Sequence, residues 1–181
     1  KQIIVIILFF ISRSLFSQLD SIIDVYQKTK SDTTKARILV YFSEYYSKIN
    51  VDTIKYFTTK AIQICDKNIP NANTIEKKNF KLIKGSATNN LAFYYSQKGQ
   101  FDSSIYFYNN SISIFKEVDN QNRYARSLTD LGYVYSCKGD NIKALEYYYK
   151  SLKIQDKIND VDGMTLTRNN IAVINFGLGE Y

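Results

Sequence analysis

The sequence predicts an all-α chain built as a stack of antiparallel helix pairs. Three observations carry that reading. Leu91, Leu131 and Ile171 lie 40 residues apart, and so do Ala92, Gly132 and Ala172, and Gly99, Gly139 and Gly179. A self-similar period of that size marks a solenoid of short structural units. Tyr124, Leu128, Leu131 and Tyr135 follow the i, i+4, i+7, i+11 spacing of one helix face. Only 1 proline and 7 glycines interrupt 181 residues, too few breakers for the many turns of an all-β fold.

The chain opens with KQIIVIILFFISRSLFSQ. A basic residue precedes the apolar run Ile3 to Ile11, and small residues follow, which is the layout of a secretory signal peptide over 1–17. Cleavage is expected after Ser17, leaving Gln18; cleavage after Ser14, leaving Leu15, satisfies the small-x-small rule better. The apolar run is shorter than the roughly 20 residues a membrane-crossing helix needs. The alternative is a buried first helix of a cytoplasmic protein. Over 18–34 a capping helix is expected, with Leu19, Ile22, Ile23 and Tyr26 as its stripe.

The repeat region is expected over 35–181, divided at about 35–84, 85–124, 125–164 and a partial 165–181. In the clearest unit, Lys138-Gly139 stops the first helix, glycine being favoured just past a helix end. Asp140 or Asn141 caps the second by accepting from free backbone N–H groups. That second helix carries Ile142, Leu145, Tyr149 and Leu152 on one side, with Ala144, Tyr148 and Ser151 on another, so it is expected to be covered from two sides. Asn159-Asp160 marks the next turn, and Asp162 or Gly163 the next first helix. Small residues at Ala92, Gly132 and Ala172, and at Ser104, Ala144, Ser111 and Ser151, allow close approach, while Tyr95, Tyr135, Tyr108 and Tyr148 fill the remaining space.

A fainter copy lies upstream at an interval of 50, pairing Tyr41-Phe42 with Leu91-Ala92, Tyr45 with Tyr95, Tyr56-Phe57 with Tyr106-Phe107 and Ala61-Ile62 with Ser111-Ile112. In this alignment Phe42 and Ile54 replace small residues. The extra length falls at NIPNANTIEKKN, read either as a longer connection or as a lengthened first helix starting near Thr74. The last copy stops at Tyr181, where its second helix should begin, so the chain is expected to be a C-terminally incomplete piece of a longer protein.

Composition removes several functions. With no histidine, the usual general base, the Ser-His and Cys-His pairs and the commonest metal ligand are absent. No glycine-rich phosphate loop or metal-ligand spacing occurs. Cys65 and Cys137 lack CxxC spacing and read as small buried hydrophobes. The expectation is no enzyme, no cofactor and no metal. A net charge of +7 raises a nucleic-acid reading. The lysines are spread out, however, and even the densest run, EKKNFKLIK, places Lys77, Lys81 and Lys84 on one solvated helix face. Nucleic acid is therefore the third-ranked partner.

Leu131, Gly132 and Tyr135, then Ala144 and Tyr148, spell L-G-x-x-Y followed by A-x-x-x-Y, which resembles the tetratricopeptide (TPR) repeat. Ser151 stands where that family usually has alanine, and the interval of 40 exceeds the family's usual 34. The resemblance covers about 35–181 and is specific over 85–181. The N-N-[IL]-[AG] segments at Asn89 to Ala92 and Asn169 to Ala172 are similar to longer-period repeats of bacterial signalling proteins. In those, an exported or membrane-tethered TPR region precedes a transmembrane helix and an output module. The resemblance implies a TPR-like α-solenoid whose concave face, lined by first helices, binds a protein or peptide partner. Mapped here, the lining is Asn89, Phe93 and Ser96, then Thr129, Tyr133 and Ser136, then Asn169, Val173 and Phe176. Asn90, Asp130 and Asn170 recur at one site and are expected to brace the fold instead. The chaperone-tail-binding members clamp a terminal carboxylate with lysines; Asn89, Thr129 and Asn169 stand there, which disfavours that partner. Two functions lead: the sensory or scaffold part of an exported bacterial signal-transduction protein, and a cytoplasmic TPR peptide receptor or regulator. Membrane contact is expected only through segments C-terminal to Tyr181.

Overall fold

A computed structural model describes residues 21–178. The signal-peptide reading, its cleavage points, Leu19 and Gly179 lie outside the described residues. Residues 21–28 form helix α1. It is followed by α2 (Asp32–Ser47), α3 (Asp52–Asn68), a 3₁₀ turn (Ile69–Asn71), α4 (Thr74–Gln97), α5 (Phe101–Glu117), α6 (Gln121–Cys137), α7 (Asn141–Lys157) and α8 (Val161–Leu178). No strand occurs among the described residues. The helices α2–α3, α4–α5 and α6–α7 pack as pairs. Each second helix also packs on the next first helix, and the first helices α2, α4, α6 and α8 touch in succession. This is an all-α solenoid of antiparallel pairs. Ile22, Ile23 and Tyr26 of α1 pack against Ile38 and Phe42 of α2.

Helix ends follow from single residues. Gly99 and Gly139 take positive φ, +69° and +84°, beyond α4 and α6. The following N–H groups, of Gln100 and Asp140, donate back to the carbonyls of Tyr95 and Tyr135, both at 2.9 Å. Asp119 and Asn159 adopt the same left-handed conformation after α5 and α7, with φ of 52° and 54°. Asp and Asn are the side chains that tolerate it best after glycine. Starts are capped by Asn120, Asp140 and Asp160, whose side chains accept from the backbone N–H of Arg123, Lys143 and Gly163 at 3.0–3.1 Å. Helix α8 therefore begins at Val161, just ahead of the Asp162 or Gly163 expected. Asn73 builds a capping box with Glu76, so the extra ten residues lengthen α4 from Thr74 after a turn at Pro70. The divisions expected at 85, 125 and 165 fall inside α4, α6 and α8.

The small residues do bring helices together. A Cβ added at Gly132 would lie 2.7 Å from Cε1 of Tyr148 and 3.1 Å from the carbonyl oxygen of Ala144. Ala92 is buried, and its carbonyl accepts from the Ser104 hydroxyl at 2.9 Å. Ala172 is exposed, because α8 is a first helix with no second helix against it among the described residues. Helix α7 packs on α6 and on α8, as its two sides predict, but two residues assigned to a covered side are corrected: Ile142 and Tyr149 face solvent. A single line, Ala144, Tyr148, Ser151 and Gln155, is buried, with Leu145 and Leu152 half-buried beside it.

The upstream copy needs a second correction. The buried positions of α2, Ala36, Ile38, Leu39, Val40, Phe42 and Ser43, repeat as Ala125, Ser127, Leu128, Thr129, Leu131 and Gly132 in α6. Ser43, not Phe42, thus occupies the small site, and Phe42 takes the leucine site. Tyr46, not Tyr45, makes the stacked ring pair with Phe57 (5.7 Å between centroids), as Tyr95 does with Phe107 (5.2 Å) and Tyr135 with Tyr147 (5.4 Å). The second helix α3 keeps the expected register: Ile54, Thr58, Ala61 and Cys65 are buried where Ser104, Tyr108, Ser111 and Phe115 are. The chain simply runs one residue less from Ser43 to Ile54 than from the equivalent Ala92 to Ser104. Ile54 fits because Thr58 stands where the other pairs have Tyr108 and Tyr148, so volume is exchanged between neighbouring sites.

At each junction one residue of a first helix, one of its second helix and one of the next first helix meet. In the first junction these are Val40, Ala61 and Ala87, all apolar and in one buried cluster. In the second they are Asn89, Ser111 and Ser127: the Ser127 hydroxyl donates to Asn89 Oδ1 at 2.7 Å and that of Ser111 at 3.4 Å. In the third, Thr129 shares hydrogen bonds with Ser151 (2.8 Å) and Thr167 (2.9 Å), and Thr167 donates to Gln155 at 3.1 Å. Buried hydroxyls and amides are costly unless partnered. Among the described residues no buried side-chain polar atom lacks a partner.

Candidate functional site

The first helices run side by side, so residues a full repeat apart land next to one another. Phe93, Tyr133 and Val173 occupy equivalent sites on α4, α6 and α8 and are 40%, 50% and 70% exposed. Phe176 is exposed one turn further along α8. Ser96 and Ser136 are half-buried, the Ser96 hydroxyl donating to the carbonyl of Phe93 at 2.8 Å, and Asn169 is exposed. Thr129 does not line this face. It is 2% exposed and held in the third junction, because its position turns toward the helix pair. Asn89 does both jobs: its oxygen accepts from Ser127, and the rest of the side chain lines a groove.

That groove, about 500 Å³, lies between α2, α4 and α6, with Tyr108 and Phe115 of α5 at its base. Asn90 and Asp130 were expected as braces, and they are. The Asn90 amide donates to Ser43 at 2.9 Å and to Glu44 at 3.3 Å, reaching back to α2, while Asp130 accepts from Asn89 at 3.4 Å, reaching back to α4. Among the described residues no hydrogen bond of this kind is found for Asn170. Sequence reasoning missed Glu44, Asn122, Arg123 and Arg126, which line the same groove. A smaller recess of about 230 Å³ shares Ser86 and Arg123 with it and adds Arg37. The available signal was the choice of arginine over lysine. Of the four described arginines, Arg37, Arg123, Arg126 and Arg168, three gather here.

The electrostatics of the groove are mixed. Burial pushes the Asp130 carboxyl up, against the opposing pull of the Asn89 amide and the Arg126 guanidinium. Every ion pair among the described residues is made by a lysine, including the recurring Lys98–Asp52 (2.7 Å) and Lys138–Asp102 (2.5 Å) links between neighbouring pairs. The groove arginines make none. Cys65 is buried and free, and burial pushes its thiol up to about 12; Cys137 is exposed and free, against the expectation of burial, beside the Tyr133 hydroxyl. Among the described residues no cluster of acidic or thiol side chains is arranged to hold a metal ion, and no helix is long and apolar enough to cross a membrane. What this surface offers chemically is non-covalent recognition: aromatic area, amides that can bond a peptide backbone, and charges of both signs.

Comparison with known proteins agrees in kind. The tetratricopeptide repeat family matches residues 85–157, which hold most of α4 together with α5, α6 and α7. Tetratricopeptide repeats are protein-interaction scaffolds and are generally non-catalytic. Among solved structures, the crystal structure of BtubC (BKLC) from P. vanneervenii is similar, at 15% identity and a TM-score of 0.47, over 81% of this chain and 65% of that one. This chain thus spans under two thirds of that protein's length. No curated protein matches.

Proposed function

We propose that the chain is a protein-interaction module that holds a peptide segment of a partner across the face of α4, α6 and α8, as the sensory part of an exported signal-transduction protein. The observation that carries the reading is the row Phe93, Tyr133 and Val173, large apolar side chains left in solvent at equivalent sites of successive first helices. Aromatic anchors of this kind are typical centres of protein interfaces. The adjoining groove supplies Asn90 and Asn122 as polar contacts. The exported location is supported by the apolar run Ile3 to Ile11 and is tested by sequencing the mature N-terminus, expected at Gln18 or Leu15. An intact leader in cell extracts would favour the cytoplasmic receptor instead.

The interaction itself is tested with a photo-crosslinking amino acid placed at Tyr133 in living cells, with Tyr106, which is exposed on the second helix α5, as the control. A discrete protein adduct at position 133 and none at 106 is expected. Adducts at 106 alone would move the interface to the outer face and end this reading.

A further inference from the structure

We propose that the groove between α2, α4 and α6 selects a peptide segment carrying one acidic and one basic side chain about three residues apart. This rests on the peptide reading above and names the chemistry of the segment. The equivalence of α2 and α6 places Arg37 at the level of Arg126, one turn from the helix starts. The same equivalence places Glu44 at the level of Tyr133, just beyond Asp130. The basic groups therefore line the end of the groove near the N-termini of the first helices, and Glu44 and Asp130 line the other end.

The sign of this arrangement is the reverse of what helix stability favours. Helix N-termini prefer acidic side chains, and α2, α3, α4, α5 and α8 each carry one in the first turn. Helices α6 and α7 carry none there; Lys143 of α7 is paired with its cap Asp140, whereas Arg123 of α6 makes no ion pair among the described residues. Among the described residues Arg37, Arg123 and Arg126 form no ion pair, although lysines form seven. Arginine presents a planar fork of donors suited to a carboxylate. At the other end Asp130 is desolvated, accepts the long 3.4 Å hydrogen bond from Asn89 and feels the Arg126 guanidinium one turn back along α6. Glu44 and the exposed Phe93 ring flank it, a setting that favours a cation. Along α6, seven residues separate Arg123 from Asp130, a rise of about 10 Å. An extended peptide covers that distance in about three residues.

The test is selection of a displayed random octapeptide library on the full chain, repeated with Arg126→Glu and with Glu44→Lys, both at exposed positions. Opposite charges at i and i+3 should be enriched over like charges by the wild type. Arg126→Glu should weaken the preference for the acidic residue alone and Glu44→Lys that for the basic residue alone, each by about three- to tenfold. A loss confined to one member of the pair cannot arise from misfolding. Enriched peptides without any charge pair overturn the charge rule and leave the peptide reading standing. A library that yields no enriched peptide overturns both.

Discussion

Replacing Gly132 by leucine tests the packing on which the solenoid depends. At an exposed helical site such a change would help, since glycine is about 0.8–1.0 kcal/mol worse than alanine and leucine lies close to alanine. Here the first added carbon already meets the Tyr148 ring at 2.7 Å and the Ala144 carbonyl at 3.1 Å. The ring is 1% exposed and the carbonyl belongs to the α7 backbone, so neither can step aside. The remaining three carbons have no space unless α6 and α7 separate. Overpacking of this kind costs about 1–3 kcal/mol, and the absence of a free direction puts this site at about 3. The propensity gain offsets about 1, leaving a net loss of about 2 kcal/mol. For a domain of this size that is a fall of about 4–8 °C in Tm. The assay is thermal and urea unfolding followed by circular dichroism. Gly177→Ala on α8, where an added Cβ meets nothing within 4 Å, serves as the control and should not lower Tm. A Gly132→Leu protein that melts at or above the wild type would refute the close approach of α6 and α7.

Thr129→Val removes a hydroxyl bonded to both Ser151 and Thr167 and should cost about 1 kcal/mol in urea unfolding, since each partner keeps a second bond. Adding Ser151→Ala and Thr167→Ala, which copies the apolar Val40, Ala61 and Ala87 junction, should cost far less than the sum of the three single changes. With Ellman's reagent at neutral pH, the native protein should show one fast thiol, Cys137, and release Cys65 only on unfolding; two fast thiols would contradict the burial of α3. Asp130, whose carboxyl is raised above the ordinary 3.8, binds its proton more tightly folded than unfolded. The stability it contributes is present in acid and lost as pH rises through its folded value. The Tm of Asp130→Asn relative to wild type should therefore increase with pH across that window, and a constant difference would show that the carboxylate is not desolvated.

Most of the scaffold was legible because helix pairs are specified by strong local signals. Gly99 and Gly139 end helices for a conformational reason, and Ala92 and Gly132 are small because another helix lies on them. What escaped had weaker signals. Aligning the upstream copy at a single interval put Phe42 in the place of Ser43, since one residue lost between Ser43 and Ile54 shifts the first helix but not the second. Ile54 looked misfitted until Thr58, its neighbour in space, was seen to be small. Gln155, Thr129 and Thr167 are buried though polar, and no apolar pattern marks them. On the outward side, Ile142 and Tyr149 are apolar yet exposed, which periodicity alone reads as core. For the site, Phe93, Tyr133 and Val173 were reached through the tetratricopeptide resemblance rather than through spacing, and they stand exposed at equivalent positions. The charged half depended on helices from separate pairs coming together, and a single unit viewed alone gives no reason to group Glu44 with Arg126.

A chain made of near-copies runs the hazard that one unit will dock on the wrong neighbour. The three junctions guard against this because each speaks a different chemical dialect: hydrocarbon in the first, the Asn89 amide between two hydroxyls in the second, three linked hydroxyls reaching the Gln155 amide in the third. Excising α4 and α5 would push Ser127 against Val40 and Ala61, stranding a hydroxyl in oil. The order of the units is thereby keyed into the seams between them, and a shuffled array should assemble poorly even though every hairpin in it is native.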